Sequence, residues 1–160
     1  MVTQELLKQL FDYKDGALIR KKNGKSAVIP MGAKRYERVT IDGKAYALHR
    51  MIYLWNHGTL PAIIDHIDGN RENNRVENLR EATQEQNCLN SKHRSTSKSP
   101  YKNVYLQPPA KNADWKRNWV VSLTVKKVRK YVGSFEDLEL ADLVATEARH
   151  LYHGQFARHF

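Results

Sequence analysis

The feature that most constrains the fold is a polar stretch at residues 91–100, Ser-Lys-His-Arg-Ser-Thr-Ser-Lys-Ser-Pro. This composition offers almost no apolar surface to bury and is typical of a flexible linker. The chain has 160 residues, of which 41% are hydrophobic, and apolar residues recur at regular spacing on both sides of the stretch. We therefore expect two small folding units, each with a modest core.

Cysteine usage limits how the fold can be held together. The only cysteine is Cys88, which excludes an intramolecular disulfide and a zinc site built on paired cysteines. We expect Cys88 to be a small buried apolar side chain. The fold must then be held by packing or by other metal ligands.

The chain is strongly basic, with a formal net charge of +10 and a pI near 9.7. Basic residues are concentrated between residues 90 and 131, where Asp114 is the only acidic residue. Aromatic residues are interleaved with this charge, which a purely solvating segment would lack. A polyanion is therefore the expected partner, and nucleic acid is favoured over an anionic membrane surface.

Nothing in the sequence indicates a membrane or a protein partner. No stretch approaches the roughly 20 apolar residues of a spanning helix, and no signal-peptide core follows Met1. We expect a cytoplasmic protein that acts as a monomer.

Upstream of the polar stretch the pattern predicts a small mixed unit. Asp42-Gly43 has the composition of a hairpin turn, and Gly58 and Pro61 are typical helix stops. The expected elements are a helix over residues 4–11, strands over residues 17–20, 36–41 and 44–48, and a helix over residues 49–57.

Downstream of the polar stretch we expect strands over residues 103–107, 119–125 and 129–135. In the middle strand Trp119 and its alternate neighbours are apolar, whereas the intervening positions include Ser122 and Thr124, so one face should be buried and the other polar. A helix should follow and end at Gly154. Its expected packing face consists of Leu140, Leu143, Val144, Ala148 and Leu151.

Residues 63–87 concentrate the chemistry-bearing side chains. A short apolar strand should end at Asp65-His66, a turn should follow at residues 68–70, and residues 79–82 should return as a second strand. Thr83 and Gln86 fit a capping box, which would place Asn87 in the first turns of a helix. The expected order is strand, loop, strand, helix.

Alternation along the first strand separates two roles. If Asp65 faces the packed helix, then His66 faces the opposite side, where substrate could lie. The Asp65 carboxylate and the Asn87 amide oxygen could hold one hard cation, while His66 deprotonates a water molecule beside a phosphate. Each residue alone is an ordinary turn former or hydrogen-bonded pair, and only their joint order and spacing favours a catalytic site.

Together with Leu48-His49-Arg50, these residues resemble the HNH family, specifically its ββα-metal variant found in phage homing endonucleases. The resemblance implies that Asp65 and Asn87 are metal ligands and that His66 is the general base. It implies that Asn78 is the middle Asn, which braces the loop and orients His66. Because the third motif position is Asn87 rather than His, one Mg²⁺ or Mn²⁺ ion per site is favoured over Zn²⁺. His49 would pack or contact phosphate, and packing is favoured.

The region after the polar stretch resembles the plant ethylene-response-factor (Apetala-two-like) DNA-binding domain, through Tyr101-Lys-Asn-Val104, Trp119–Leu123, Tyr131–Phe135 and the following helix. The resemblance implies a sheet that lies in the DNA major groove, with Trp119 in the core. Residues 108–118 are poorer in arginine than the family's loop, so their lysines are better suited to phosphate contacts. The residues expected to contact DNA are Lys102, Tyr105, Gln107, Lys116, Arg117, Ser122, Thr124, Arg129 and Tyr131.

The expected fold class is therefore α+β, with an HNH ββα-metal nuclease domain followed by a three-stranded antiparallel sheet backed by one helix. The implied activity is hydrolysis of phosphodiester bonds in double-stranded DNA by a homing-type endonuclease, which should nick because one site cuts one strand. The alternatives are a non-catalytic sequence-specific DNA-binding regulator and, less favoured, an RNA-binding protein. The expected boundaries are residues 1–48 for an N-terminal helix and strand region, 49–92 for the nuclease core, 93–100 for a linker and 101–160 for the DNA-binding domain.

Overall fold

A computed structural model describes residues 1–31, 35–91, 98–107 and 118–158. The chain divides into two compact units, Met1–Gln84 and Glu85–Phe160, called here the N-terminal and C-terminal units. The division falls upstream of the expected linker, of which residues 93–97 lie outside the described part.

The N-terminal unit mixes short helices with two-stranded and three-stranded antiparallel sheets, as the α+β expectation requires. The predicted helices and strands are present with bounds within two residues, and two short strands were not predicted. The elements are α1 (Gln4–Leu10), β1 (Phe11–Lys14), β2 (Ala17–Arg20), β3 (Val28–Ile29), β4 (Arg38–Ile41), β5 (Lys44–Ala47), α2 (Leu48–His57), β6 (Ile64–His66) and β7 (Leu79–Glu81), followed across the unit boundary by α3 (Gln84–Leu89).

Turn chemistry explains the two hairpins of this unit. Asp15 and Gly16 join β1 to β2, and Asp42 and Gly43 join β4 to β5; all four residues have positive φ. Two consecutive positive φ angles match the twist of the flanking strands, which is why Asp-Gly is favoured there. The two hairpins therefore form from local sequence, and they supply one wall of the core.

Helix α2 provides the central packing element of the N-terminal unit. Gly58 ends it in the left-handed conformation with φ 73°, as the sequence predicted. Its inner face buries apolar residues against the hairpins and α1. The fully buried core includes Leu7, Phe11, Leu18, Val39, Leu48 and Ile52.

The C-terminal unit contains β8 (Val104–Leu106), β9 (Trp119–Val125), β10 (Val128–Phe135) and α4 (Leu138–His153). The strands are antiparallel in the order β10-β9-β8, and α4 packs on one face of the sheet. Asp137 caps α4 by accepting a hydrogen bond from the Leu140 amide, and Gly154 follows its last residue. Trp119 is 7% exposed and belongs to the core, as expected.

The packing face of α4 agrees with the sequence prediction at Ala148, which is 6% exposed, but differs at the three leucines. Leu140, Leu143 and Leu151 are exposed to 47%, 59% and 76%, whereas Ala141 and Ala145 are fully buried. The small alanine side chains allow the helix to lie close to the sheet, and bulkier residues at those positions would hold it away. The leucine stripe and the alanine stripe lie one residue apart along the helix and have the same period. Periodicity alone therefore cannot tell which of the two stripes packs on the sheet.

Cys88 is exposed, so the prediction of a buried cysteine was wrong. Its place on the six-residue α3, which buries no side chain completely, explains the difference. Among the described residues, no helix is long and apolar enough to cross a membrane.

Candidate nuclease site

Asp65 and His66 occupy adjacent positions on β6, and both side chains are buried, at 5% and 4% exposure. β6 pairs with β7 in an antiparallel register that sets Asp65 opposite Arg80 and His66 opposite Leu79. Because neighbouring strand residues point to opposite faces, the two side chains meet different partners. Each set of partners indicates a different chemical role.

The partner of Asp65 is Arg80, which sequence reasoning missed. Arg80 Nε and Nη2 both donate to Asp65 Oδ2, at 3.0 and 2.8 Å. The Arg80 side chain is 14% exposed and the Asp65 side chain 6%, so this ion pair is largely shielded from water. Two donors converging on one oxygen fix the orientation of the carboxylate.

His66 pairs with Asn74, a residue that sequence reasoning missed. Asn74 Oδ1 lies 3.2 Å from His66 Nε2, and Asn74 Nδ2 donates to Glu37 Oε2 at 2.8 Å. Asn74 is 3% exposed, so its amide orientation is set by these partners. A hydrogen-bonded chain therefore runs from the buried His66 through the buried Asn74 to Glu37, which is partly exposed.

Two rings pack beside His66. Its ring lies 5.2 Å from that of His49 and is nearly parallel to that of Tyr36 at 5.9 Å, while Arg71 lies over Tyr36 at 4.8 Å. His49 is 6% exposed and contacts Tyr36 as well, which favours packing over phosphate contact for this residue. Tyr36 and Glu37 lie nearly thirty residues before the motif, and no local signal in the sequence connects them to it.

Burial keeps both imidazoles neutral near physiological pH. Burial, together with smaller effects of the neighbouring His66 and Arg50, lowers the pKa of His49 to about 3. Burial also lowers the pKa of His66, opposed by its hydrogen bond to Asn74 and by Asp68 and Asp65. A neutral His66 can accept a proton, which is the state that a general base requires.

The loop after β6 is organised by Asp68 and Asn78. Asn78 Nδ2 donates to Asp68 Oδ1 at 2.9 Å and to the Asn73 carbonyl at 2.8 Å, and its Oδ1 accepts from the Asp68 amide at 3.1 Å. Asn73 also donates to Asp68 Oδ2 at 2.7 Å. Burial would raise the pKa of Asp68, but the hydrogen bonds that its carboxylate accepts lower it overall. Asn78 thus bridges both ends of the loop.

The β1–β2 hairpin supports this loop from behind. The Val76 amide donates to the Tyr13 hydroxyl at 3.0 Å. A Cβ at Gly16, where φ is +83°, would lie 3.0 Å from the Arg75 nitrogen and 3.1 Å from the Asn74 carbonyl carbon. Glycine therefore permits a close approach of the hairpin turn to the backbone that carries Asn74.

Asn87, the other expected metal ligand, lies on α3 beyond the division at Gln84, so its position relative to Asp65 is not described. Among the described residues, no group of three or more His, Cys, Asp or Glu side chains could hold a metal ion. Asn87 is an amide and is not one of these four residue types. The donor chemistry of Asp65 and Asn87, a carboxylate and an amide, suits an oxygen-preferring cation.

The expected DNA-contacting residues of the C-terminal unit fall into distinct settings. Tyr105, Thr124, Arg129 and Tyr131 are exposed on one side of the sheet and are called here the polar sheet face. Arg129 reaches across that face, because its guanidinium lies 5.1 Å from the Tyr105 ring centre. Gln107 is also exposed, whereas Lys116 and Arg117 lie outside the described residues.

Ser122 and Lys102 differ from the expectation of exposed contact residues. Ser122 is 3% exposed, and its hydroxyl accepts a hydrogen bond from Arg129 Nε at 2.9 Å. Lys102 Nζ donates to the carbonyls of Leu89 and Ser91 at 2.8 and 2.7 Å, just after α3. Burial lowers the pKa of Lys102 to about 8, with smaller effects from nearby arginines. In the described structure both polar groups are engaged within the protein.

The site geometry defines an α+β unit with a buried carboxylate, a buried neutral imidazole and a braced Asn-rich loop between two paired strands. Residues 46–89 match a family model described as HNH endonuclease. The match covers all four expected motif residues and supports a nuclease function that acts on DNA. No protein of established function and no solved structure showed a significant match to the chain.

Proposed function

We propose that this protein is a homing-type HNH endonuclease that hydrolyses phosphodiester bonds in double-stranded DNA and nicks one strand per event. The observation that carries the proposal is His66, a buried neutral imidazole on β6, next to a buried carboxylate at Asp65. Both lie within the residues that match the HNH endonuclease family. Phosphodiester hydrolysis needs a base that accepts the proton of the attacking water and positive charge that stabilises the phosphate. His66 would be the base, and Asp65 would hold the cation that supplies the charge.

In this mechanism His66 accepts a proton from the water molecule that attacks the phosphorus. The hydrogen bonds of Asn78 to Asp68 and Asn73 hold the loop that follows His66. Arg71, close to this site above Tyr36, is suited to contact the phosphate through its guanidinium. Each of these groups belongs to the N-terminal unit.

Asp65 and Asn87 would hold one Mg²⁺ or Mn²⁺ ion, since both offer oxygen ligands. When bound, the ion supplies positive charge that stabilises the developing negative charge on the phosphate and the leaving oxygen. Arg80 orients the Asp65 carboxylate through Oδ2. The expected nicking and the ββα-metal classification are part of this proposal.

Affinity for DNA would come from the C-terminal unit, as an ethylene-response-factor-like module. The polar sheet face presents the Arg129 guanidinium over the Tyr105 ring, and its two tyrosines, Tyr105 and Tyr131, are 42% and 67% exposed. Guanidinium groups contact phosphates and base edges, and aromatic rings pack against the sugar and base surface. Within this proposal Ser122 holds Arg129 in place and does not contact DNA itself.

The test is incubation of supercoiled plasmid with purified protein and Mg²⁺ or Mn²⁺, followed by separation of nicked and linear products. We expect nicked circles, and His66→Ala should reduce their rate of formation by about 10²- to 10⁴-fold without weakening DNA binding. His57→Ala, which changes an exposed histidine of α2, serves as the matched control. Equal cleavage by His66→Ala and the parent protein would overturn the assignment.

A non-catalytic DNA-binding regulator is a second candidate, and the Arg80–Asp65 ion pair is the observation that favours it. Arg80 already neutralises the carboxylate that a metal ion would need. Binding of Mn²⁺ followed by electron paramagnetic resonance decides between the two. Binding that Asp65→Asn abolishes supports the nuclease, whereas no binding in the parent protein with DNA present supports the regulator.

A further inference from the structure

The amide of Asn74 has only one orientation that satisfies all of its neighbours. Its Nδ2 faces the Glu37 carboxylate at 2.8 Å and the Glu72 backbone carbonyl at 3.4 Å. A backbone carbonyl can only accept a hydrogen bond, and so can an ionised carboxylate. The nitrogen must therefore lie on the side of these two oxygens, which leaves Oδ1 on the side of His66.

An oxygen that faces His66 Nε2 determines where the ring carries its proton. Asn74 Oδ1 is an acceptor, and at 3.2 Å from Nε2 it requires a hydrogen on that nitrogen. A neutral imidazole has only one N–H, so Nδ1 then carries the lone pair. The ring contacts with Tyr36 and His49 hold the plane of the imidazole but do not distinguish its two nitrogens.

We propose that Asn74, oriented by Glu37, is a positioning residue that fixes the Nε2–H tautomer of His66 and so makes Nδ1 the atom that accepts the proton from water. The catalytic consequence rests on the proposed nuclease function, whereas the tautomer itself does not. Asn74 and Glu37 touch no reacting atom and act through His66. A second group that fixes the tautomer of a general base is a recurring requirement of hydrolytic sites.

The backbone on which Asn74 sits is held independently of its side chain. The Gly16 turn lies so close to this backbone that a Cβ at Gly16 would come within 3.1 Å of the Asn74 carbonyl carbon, and the Val76 amide donates to the Tyr13 hydroxyl. A substitution of the Asn74 side chain should therefore leave the loop in place. The effect of the side chain on His66 can thus be measured in a folded protein.

The experiment measures the ring nitrogen chemical shifts of His66 by long-range ¹H–¹⁵N correlation in metal-free full-length protein at pH 8. The parent protein should show the Nε2–H pattern alone. Asn74→Leu should show a mixture of tautomers. Glu72→Gln, which removes a neighbouring carboxylate without changing the Glu72 carbonyl, is the matched control and should leave the pattern unchanged.

A reversed pair tests the role of the acceptor. In Asn74→Asp with Glu37→Gln, the carboxylate at position 74 accepts from His66 and the amide at position 37 donates to it. This double variant should restore the Nε2–H pattern. In cleavage assays Asn74→Leu should lower kcat about 10²-fold with little change in KM, and the double variant should recover most of that loss.

An Nδ1–H pattern or a mixture in the parent protein would overturn the inference, and so would an unchanged pattern in Asn74→Leu. If Asn74→Leu does not fold, the parent spectrum and the double variant still decide. The predicted tautomer together with absent cleavage would contradict the proposed function and leave the positioning role of Asn74 standing. The two failures are therefore distinguishable.

Discussion

The two units treat their polar residues in opposite ways. In the N-terminal unit Asp65, His66 and Asn74 are buried and bonded to neighbouring side chains, and His66 is 4% exposed. In the C-terminal unit the polar sheet face is open, and Tyr131 is 67% exposed. Proton transfer needs groups that are held in one geometry and shielded from water, whereas contact with a phosphate backbone needs groups that can reach outward. This difference is what the proposed function requires, with chemistry in the first unit and DNA affinity in the second.

Breaking the Arg80–Asp65 ion pair should have the largest effect on stability. Arg80→Ala leaves the Asp65 carboxylate buried without its bidentate partner, so the free energy of unfolding should fall by about 3 kcal/mol. Urea denaturation of the two proteins measures this loss. Arg38→Ala changes an exposed arginine of β4 and should shift stability by about 0.5 kcal/mol or less. Similar losses of unfolding free energy in the two variants would contradict the conclusion that the Arg80–Asp65 ion pair is shielded from water.

The depressed pKa of His49 predicts acid sensitivity of the N-terminal unit. Because the folded pKa of about 3 lies below the unfolded value of 6.5, the unfolded chain binds more protons between these values. The stability that this pKa difference provides is complete above pH 6.5 and is lost as the pH falls. The free energy of unfolding should decrease by about 2 kcal/mol between pH 6.5 and pH 4.5. Denaturation at both pH values should show a smaller loss for His49→Phe, with His57→Phe as the control on the same helix. An equal loss in all three proteins would exclude the buried imidazole as the cause.

In the C-terminal unit the two stripes of α4 should respond differently. Ala145 is fully buried against the sheet, so Ala145→Leu should destabilise the protein by about 1–3 kcal/mol through overpacking. Leu143 is 59% exposed, so Leu143→Gln should change stability by about 0.5 kcal/mol or less. Thermal or urea unfolding compares the pair. The opposite ranking would restore the leucine face that periodicity predicted.

The smallest effect concerns a single DNA contact on the polar sheet face. Arg129→Ala should weaken DNA binding by about 1 kcal/mol and lower the slope of log K against log salt by about one. Ser122→Ala should have a weaker effect in the same direction, because Arg129 loses the acceptor for its Nε. Fluorescence anisotropy with labelled duplex at several salt concentrations measures both. Lys44→Ala, on a hairpin of the N-terminal unit, is the control, and an equal effect there would remove the distinction between the units.

Local patterns predicted a large part of this molecule. Alternation and turn residues predicted the β4–β5 hairpin, and Gly58 predicted the end of α2. The same reasoning predicted that β6 and β7 flank a polar loop. The same reasoning could also have identified Arg80, because the pairing of β6 with β7 across the loop sets Arg80 opposite Asp65.

The remaining features depend on contacts between residues far apart in sequence. Glu37 and Tyr36 reach the site only because the fold brings β4 and α2 beside the loop, and nothing near them in sequence indicates this. The three leucines predicted for the α4 face were wrong for a related reason, since the distance between helix and sheet, and not the period, selects alanine over leucine. Ser122 is likewise buried and accepts a hydrogen bond from Arg129 on the neighbouring strand, a contact that alternation along one strand does not predict.

The most direct test of the division between chemistry and affinity is a parallel measurement of cleavage and binding on one supercoiled plasmid. His66→Ala should bind with unchanged affinity and lose cleavage. The triple substitution Tyr105→Ala, Arg129→Ala and Tyr131→Ala should lose affinity and regain cleavage at saturating DNA. Loss of cleavage at saturating DNA in the triple variant, or loss of binding in His66→Ala, would contradict the assignment of chemistry to one unit and affinity to the other.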